Sequence, residues 1–166
     1  MAYRGVFGAF PYAARASDSW LFRSYAVVSV LVGGGLALLF TLGLVVLVAQ
    51  TAALAGGSLT LSRAFYVVVG LALVAPVIAP TLLVARRHRR EGSTKRYDAA
   101  LAAAGYLLVC TLYVGLVITV PPAQQQTPAG ALAPVVAALY ALPPVAALGP
   151  PLVGVGAIWL AHRLAR

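Results

Sequence analysis

Four stretches of this chain run for twenty-two residues or more without a charged side chain: Tyr25–Ala49, Ala64–Ala85, Ala99–Val120 and Ala131–Ala161. That feature narrows the fold more than any other. The first stretch has 25 residues, and a helix of that length rises about 37 Å, against roughly 30 Å for the hydrocarbon core of a bilayer. Within lipid the chain must satisfy its own backbone polar groups, so apolar stretches this long read as helices. Composition agrees: 62% of the residues are hydrophobic and 9% are charged, whereas soluble domains carry about 25% charged residues. The expected fold is all-α, a polytopic membrane protein. It is a four-transmembrane-helix bundle forming one domain over residues 25–161, with spans near 25–49, 64–85, 99–120 and 134–161.

The blocks differ in ways that matter. The first carries Gly33, Gly34 and Gly35, a weak helical sequence in water but a tolerated one in lipid. The second carries Pro76 and Pro80 in its last third. Each proline lacks an N–H and frees a carbonyl one turn earlier, so a bend is expected, with a hinge or a ligand-facing turn as the sharper alternative. In the third block Tyr106, Cys110 and Tyr113 share a helical face, with Ala102, Ala103 and Gly105 offering small surfaces for close contact. The fourth block is too long for one straight span and holds Pro134, Pro143, Pro144, Pro150 and Pro151. A short helix near 134–142, a break, and a helix from about Pro151 to Ala161 is the expectation. One kinked span from about Ala138 is the rival, and a re-entrant segment a third arrangement.

Charge orients these blocks. The run LLVARRHRREGSTKRYDAALA, Leu82–Ala102, joins blocks two and three and holds Arg86, Arg87, Arg89, Arg90, Lys95 and Arg96 against Glu91 and Asp98. Residues 86–98 read as a short basic loop, which the positive-inside rule keeps cytoplasmic. Four spans then place the N-terminal arm, with Arg4, Arg15 and Arg23, on the same side. The tail, residues 162–166, joins them with Arg163 and Arg166. Only Arg63 falls on the other side, so eleven of the twelve basic residues agree. The expected location is the cell membrane, multi-pass, with both termini cytoplasmic. A net charge of +9 invites a nucleic-acid reading, but the cations sit between apolar blocks rather than across a folded surface, and no nucleic-acid partner is expected. Membrane lipids are the expected partners, and the six basic residues of the loop are candidate contacts for anionic headgroups.

Residues 1–24 form an arm in which Phe7, Phe10, Tyr12, Trp20 and Phe22 mix with arginines. Such mixtures suit the headgroup layer, so the arm reads as a cytoplasmic interfacial segment broken at Pro11, with Asp18 capping the turn into the first span. The Ala53–Ala55 triplet faintly resembles a signal cleavage site, but the apolar region before it is too long for a signal peptide and reads as an uncleaved anchor.

Catalytic patterns are missing from the sequence. There is no H-E-x-x-H, no Gly-Lys-Ser/Thr of a phosphate loop and no G-x-S-x-G. The lone Cys110 can form no disulfide within the chain. His88 and His162 fall outside the blocks, so a haem between spans would lack its axial histidine. No ionisable residue falls within the blocks, which argues against a proton-coupled carrier working alone. No catalytic, metal or cofactor residue is assigned, and the chain is not expected to be an enzyme.

The phrases GVFGAFPYAARASDSWLFRSY, Gly5–Tyr25, and VARRHRREGSTKRYDAALAAAGYL, Val84–Leu107, resemble a family of small uncharacterised multi-pass membrane proteins of halophilic archaea. The resemblance runs through about residue 122. It implies a membrane protein and carries no catalytic residue with it. The expected function is that of a structural or accessory membrane protein, a subunit of a homo- or hetero-oligomer formed with other membrane subunits or with itself. The alternative is a transporter or channel component for a small solute, motivated by the helix breaks at Pro143, Pro144, Pro150 and Pro151. An interaction module at the cytoplasmic leaflet is a third reading.

Overall fold

The computed structural model describes residues 5–52 and 57–165, with the backbone alone for 57–59. Arg4, Arg166 and the Ala53–Ala55 triplet lie outside the described residues. The described chain folds as six helices without a strand: α1 (Gly5–Ala16), α2 (Trp20–Thr51), α3 (Gly57–Arg90), α4 (Lys95–Ile118), α5 (Ala133–Tyr140) and α6 (Gly149–Leu164). Four helical segments are long and apolar enough to cross a membrane: α2, α3 from Thr60, α4, and the stretch Pro144–Leu164 that joins a 3-10 turn to α6.

Helix α1 runs through Pro11, where a break was expected. Pro11 lies on the exposed face, so the carbonyl it frees at Phe7 opens outward rather than into a core. The opposite face buries Ala9 and Ala13, one turn apart, as α1 lies against α3 and α2. Phe7 is 92% exposed at the helix rim. Asp18 does not cap α2. Ser19 does, in extended conformation, its Oγ accepting from the Phe22 amide at 3.3 Å, while Asp18 is exposed. Helix α2 thus begins at Trp20, before the expected span.

The expected loop 86–98 is mostly helix. Arginine and lysine are good helix formers, and cations at a helix C-terminus complement its dipole. Helix α3 therefore continues through Arg90, and Gly92, at φ +76°, supplies the left-handed residue that ends it. Thr94 then caps α4, its Oγ1 accepting from the Tyr97 amide at 3.3 Å. Only Glu91–Thr94 link the two helices.

Helix α4 is the hub, packing on α2, α3, α5 and α6. The core collects Phe22, Tyr25 and Ala26 of α2, Val77, Val84 and Ala85 of α3, and Leu101, Ala102 and Leu108 of α4, with Ile158 of α6. A polar seam runs through it. The Tyr25 hydroxyl donates to the Val77 carbonyl at 2.6 Å, and the Ser29 and Thr81 hydroxyls meet at 3.0 Å. Pro80 is buried and Pro76 half-buried within this part of α3, which stays helical through both. The core lies toward the end of the bundle where α1 docks. Farther along, α2 and α3 pair closely, with the Phe40 ring against Gly70 and the Tyr66 hydroxyl against Gly43. Arg63 closes that far end, donating from Nη2 to the Thr51 carbonyl at 2.9 Å.

The fourth block is broken rather than kinked. Pro143 is extended after α5, residues Pro144–Leu148 form a 3-10 turn, and Pro150 and Pro151 occupy the first turn of α6. Proline is tolerated there because first-turn amides lack helical partners. With eight residues, α5 is only about 12 Å long and cannot span a bilayer.

Candidate functional site

Continuation of α3 to Arg90 sorts the basic residues by face. Leu83, Arg86, Arg87 and Arg90 recur at i, i+3, i+4 and i+7, one stripe of the helix. Together with Glu91, Tyr97 of α4 and His162 of α6 they line a cleft of about 350 Å³. A second cleft, of about 410 Å³, lies between α1 and α3 and takes Arg86, Arg89 and Arg90 against Gly5, Val6 and Ala9. Lys95 and Arg96 line neither cleft and are exposed. The six basic residues expected to act alike therefore divide into cleft residues and peripheral ones.

Behind the clefts lies a buried carboxylate, at a position expected in the basic loop. Asp98 is 1% exposed, in the first turn of α4. Its Oδ2 accepts from the Ser17 hydroxyl at 2.5 Å and faces His88 Nε2 at 2.9 Å, while Oδ1 accepts from the Ser93 hydroxyl at 2.6 Å. A buried carboxylate is tolerated only when its oxygens are satisfied in this way. With Asp98 ionised, His88 must donate from Nε2, which fixes the ring's orientation. Ser17 extends the network. Its Oγ accepts from the Ser19 amide at 3.2 Å, and its carbonyl accepts from Arg23 Nε at 2.8 Å. One carboxylate thus ties the α1–α2 link, the end of α3 and the start of α4 together. Three residues on, the sequence holds its signal: Asp98 shares a helical face with Leu101, Ala102 and Gly105, all buried. A carboxylate on a core face marks a network.

Beside it stands a second cluster. Tyr97, fully buried, places its hydroxyl 2.6 Å from His162 Nδ1. The Arg87 guanidinium stacks over the Tyr97 ring, 4.2 Å from its centroid. Arg87 Nε and Nη1 are buried with no hydrogen-bond acceptor. Both histidines that lay outside the apolar blocks therefore bridge helices.

The remaining candidates scatter. Tyr106 donates to Ser24 Oγ at 2.9 Å and meets Tyr25 edge-on at 5.2 Å, whereas Cys110 and Tyr113 are exposed. The three do not form a site. Of the six break-point prolines only Pro151 lines a described cavity, an apolar groove of about 370 Å³ that also takes Val32, Leu36, Leu112 and Gly115. Among the described residues no group of three or more His, Cys, Asp or Glu side chains is placed to hold a metal ion.

Comparison with known proteins gives a family without an activity. No curated protein and no solved structure matches the chain. A family described as a domain of unknown function, DUF8056, matches it over residues 1–166, including the fourth apolar block. With its whole length matched, the chain belongs to the DUF8056 family.

Proposed function

We propose that this chain is an accessory membrane subunit without a catalytic step of its own, which assembles through the outer face of α2. The observation that carries the reading is the placement of Gly34 and Gly35. Both are exposed in mid-span, and a Cβ added at either meets nothing within 4 Å. Glycine weakens a helix and offers lipid no packing, whereas a partner helix gains a close approach from it. The most apolar window of α2 has 6% of its residues buried, against 39% for α4, so most of its surface is open to lipid or to a partner helix. Purification in mild detergent from native membranes, followed by the mass of the intact assembly, tests this directly. Gly35→Leu is expected to leave the protomer's thermal midpoint within about 2 °C, since it fills open space, and to reduce the assembly to single protomers. An unchanged assembly mass would remove α2 as the interface. A monomeric wild-type chain with no co-purifying partner would remove the reading itself.

In this reading the chain sits in the cell membrane of a halophilic archaeon, as its resemblance to proteins of such organisms supports. The basic end then faces the cytoplasm. The positive-inside rule supports this, because among the described residues Arg63 is the one basic residue at the far end. In a Cys110→Ser background, an impermeant maleimide added to intact cells is expected to label Gln124→Cys. Lys95→Cys should react only after permeabilisation. The reverse pattern would invert the topology.

A further inference from the structure

We infer that the cleft between the end of α3, Tyr97 and His162 is a binding site for a phosphate group. Three arginines of a single helical stripe, Arg86, Arg87 and Arg90, line it, with Glu91 the one acidic residue among the lining. The decisive residue is Arg87. Stacking on Tyr97 satisfies the flat face of its guanidinium. The in-plane donors are a separate matter, and two of them, Nε and Nη1, are buried without an acceptor. Buried donors of a charged group are costly to leave unmade. Nε and Nη1 point to opposite sides of the planar guanidinium, so each lacks its own acceptor oxygen. Arg87 lines the cleft, and an oxyanion seated there supplies acceptors to its guanidinium. The support behind Arg87 is rigid: Tyr97 is fully buried and its hydroxyl is tied to His162 across to α6. This preorganisation separates the cleft from Lys95 and Arg96, which carry the same charge on an open surface. Two sources can supply the group, a phospholipid headgroup lying at the bilayer surface or a soluble phosphate. The inference is independent of how the chain assembles.

The full chain in a nonionic maltoside tests it. Inorganic phosphate is titrated by calorimetry, and phosphatidic acid is added in mixed micelles and read as bound adducts by native mass spectrometry, with diacylglycerol of the same chains as control. Binding of phosphatidic acid without binding of phosphate assigns the site to lipid. Comparable binding of both assigns it to a soluble anion. In either case Arg87→Gln is expected to weaken binding at least about tenfold, the scale of one charge-assisted hydrogen bond. Because Arg87 also packs on a buried ring, the charge-matched pair provides the decision. Arg86→Gln with Arg90→Gln should weaken binding by a similar factor, and Lys95→Gln with Arg96→Gln by less than about twofold, since neither Lys95 nor Arg96 lines the cleft and charges at a distance are screened. Glu91→Gln should tighten it. Equal losses in the two double variants would reduce the cleft to unspecific charge, and absence of binding by both probes would overturn the site.

Discussion

Asp98→Ala is expected to release α1 from the bundle while the four spans stay folded. The substitution removes one acceptor and strands three donors. The Ser17 hydroxyl is fully buried, and it, the Ser93 hydroxyl and His88 all depend on the same carboxylate. Breaking a buried charged pair from one side costs about 3–5 kcal/mol, because the partners are left desolvated. The loss falls on the weakest structure nearby. Helix α1 has 12 residues and buries only Ala9 and Ala13, and isolated helices of that length are marginal in water. The spans keep their apolar core and the Tyr25–Val77 and Ser29–Thr81 seam. Hydrogen exchange should therefore show the amides of α1 beyond its first turn, Pro11 apart, losing protection by about a hundredfold or more, as a change of about 3 kcal/mol in a local opening equilibrium requires. Amides of α4 around Leu108 should change by less than threefold, about 0.6 kcal/mol. Asp98→Asn keeps one acceptor oxygen and should fall between the two. Unchanged protection of α1 in Asp98→Ala would mean that its contacts with α3 alone hold it.

The network explains where sequence reading stops. The spans are legible because a bilayer imposes one requirement, a length of chain without charge, and the blocks at Tyr25, Ala64 and Ala99 meet it openly. The basic run is legible as a boundary for the same reason. Its conformation is not, because charge reports the polarity around a residue and not its dihedral angles. Arg86–Arg90 look the same as loop or as helix. Only the helix sets Arg86, Arg87 and Arg90 on one stripe and turns Arg89 toward α1. Pro11 misleads because a helix interrupted on its exposed face loses little. Asp18 and Ser19 are both good capping residues, and one rotation of backbone decides between them. The cleft depends on contacts eighty residues apart, such as Ser17 with Asp98, and on Tyr97 with His162. No local pattern encodes those, although a carboxylate in register with Leu101, Ala102 and Gly105 gives one half of the pair.

Gly105→Ala is expected to destabilise the bundle, reversing the sign that alanine ordinarily has in a helix. An alanine for glycine gains about 1 kcal/mol of helix propensity where space allows. At Gly105 there is none: a Cβ would stand 2.2 Å from Cζ of Tyr25 and 2.6 Å from its hydroxyl. That ring cannot swing aside. It is fully buried, its hydroxyl is held by the Val77 carbonyl at 2.6 Å, and Tyr106 packs edge-on against it at 5.2 Å. Overpacking of a fixed neighbour costs about 1–3 kcal/mol, enough to cancel or exceed the propensity gain. Separating α2 from α4 would also break the α2–α3 seam, which puts the expected net loss near the upper end. Gly156 on α6 provides the control, since a Cβ there meets nothing within 4 Å. Thermal unfolding in detergent should show Gly105→Ala lowered by several degrees and Gly156→Ala unchanged or raised. Tyr25→Ala with Gly105→Ala should lose less than the sum of the single changes, because the second methyl enters the space that the ring vacates. If Gly105→Ala instead matches Gly156→Ala, the Tyr25 ring is free to move, and the contact between α2 and α4 is looser than its geometry requires.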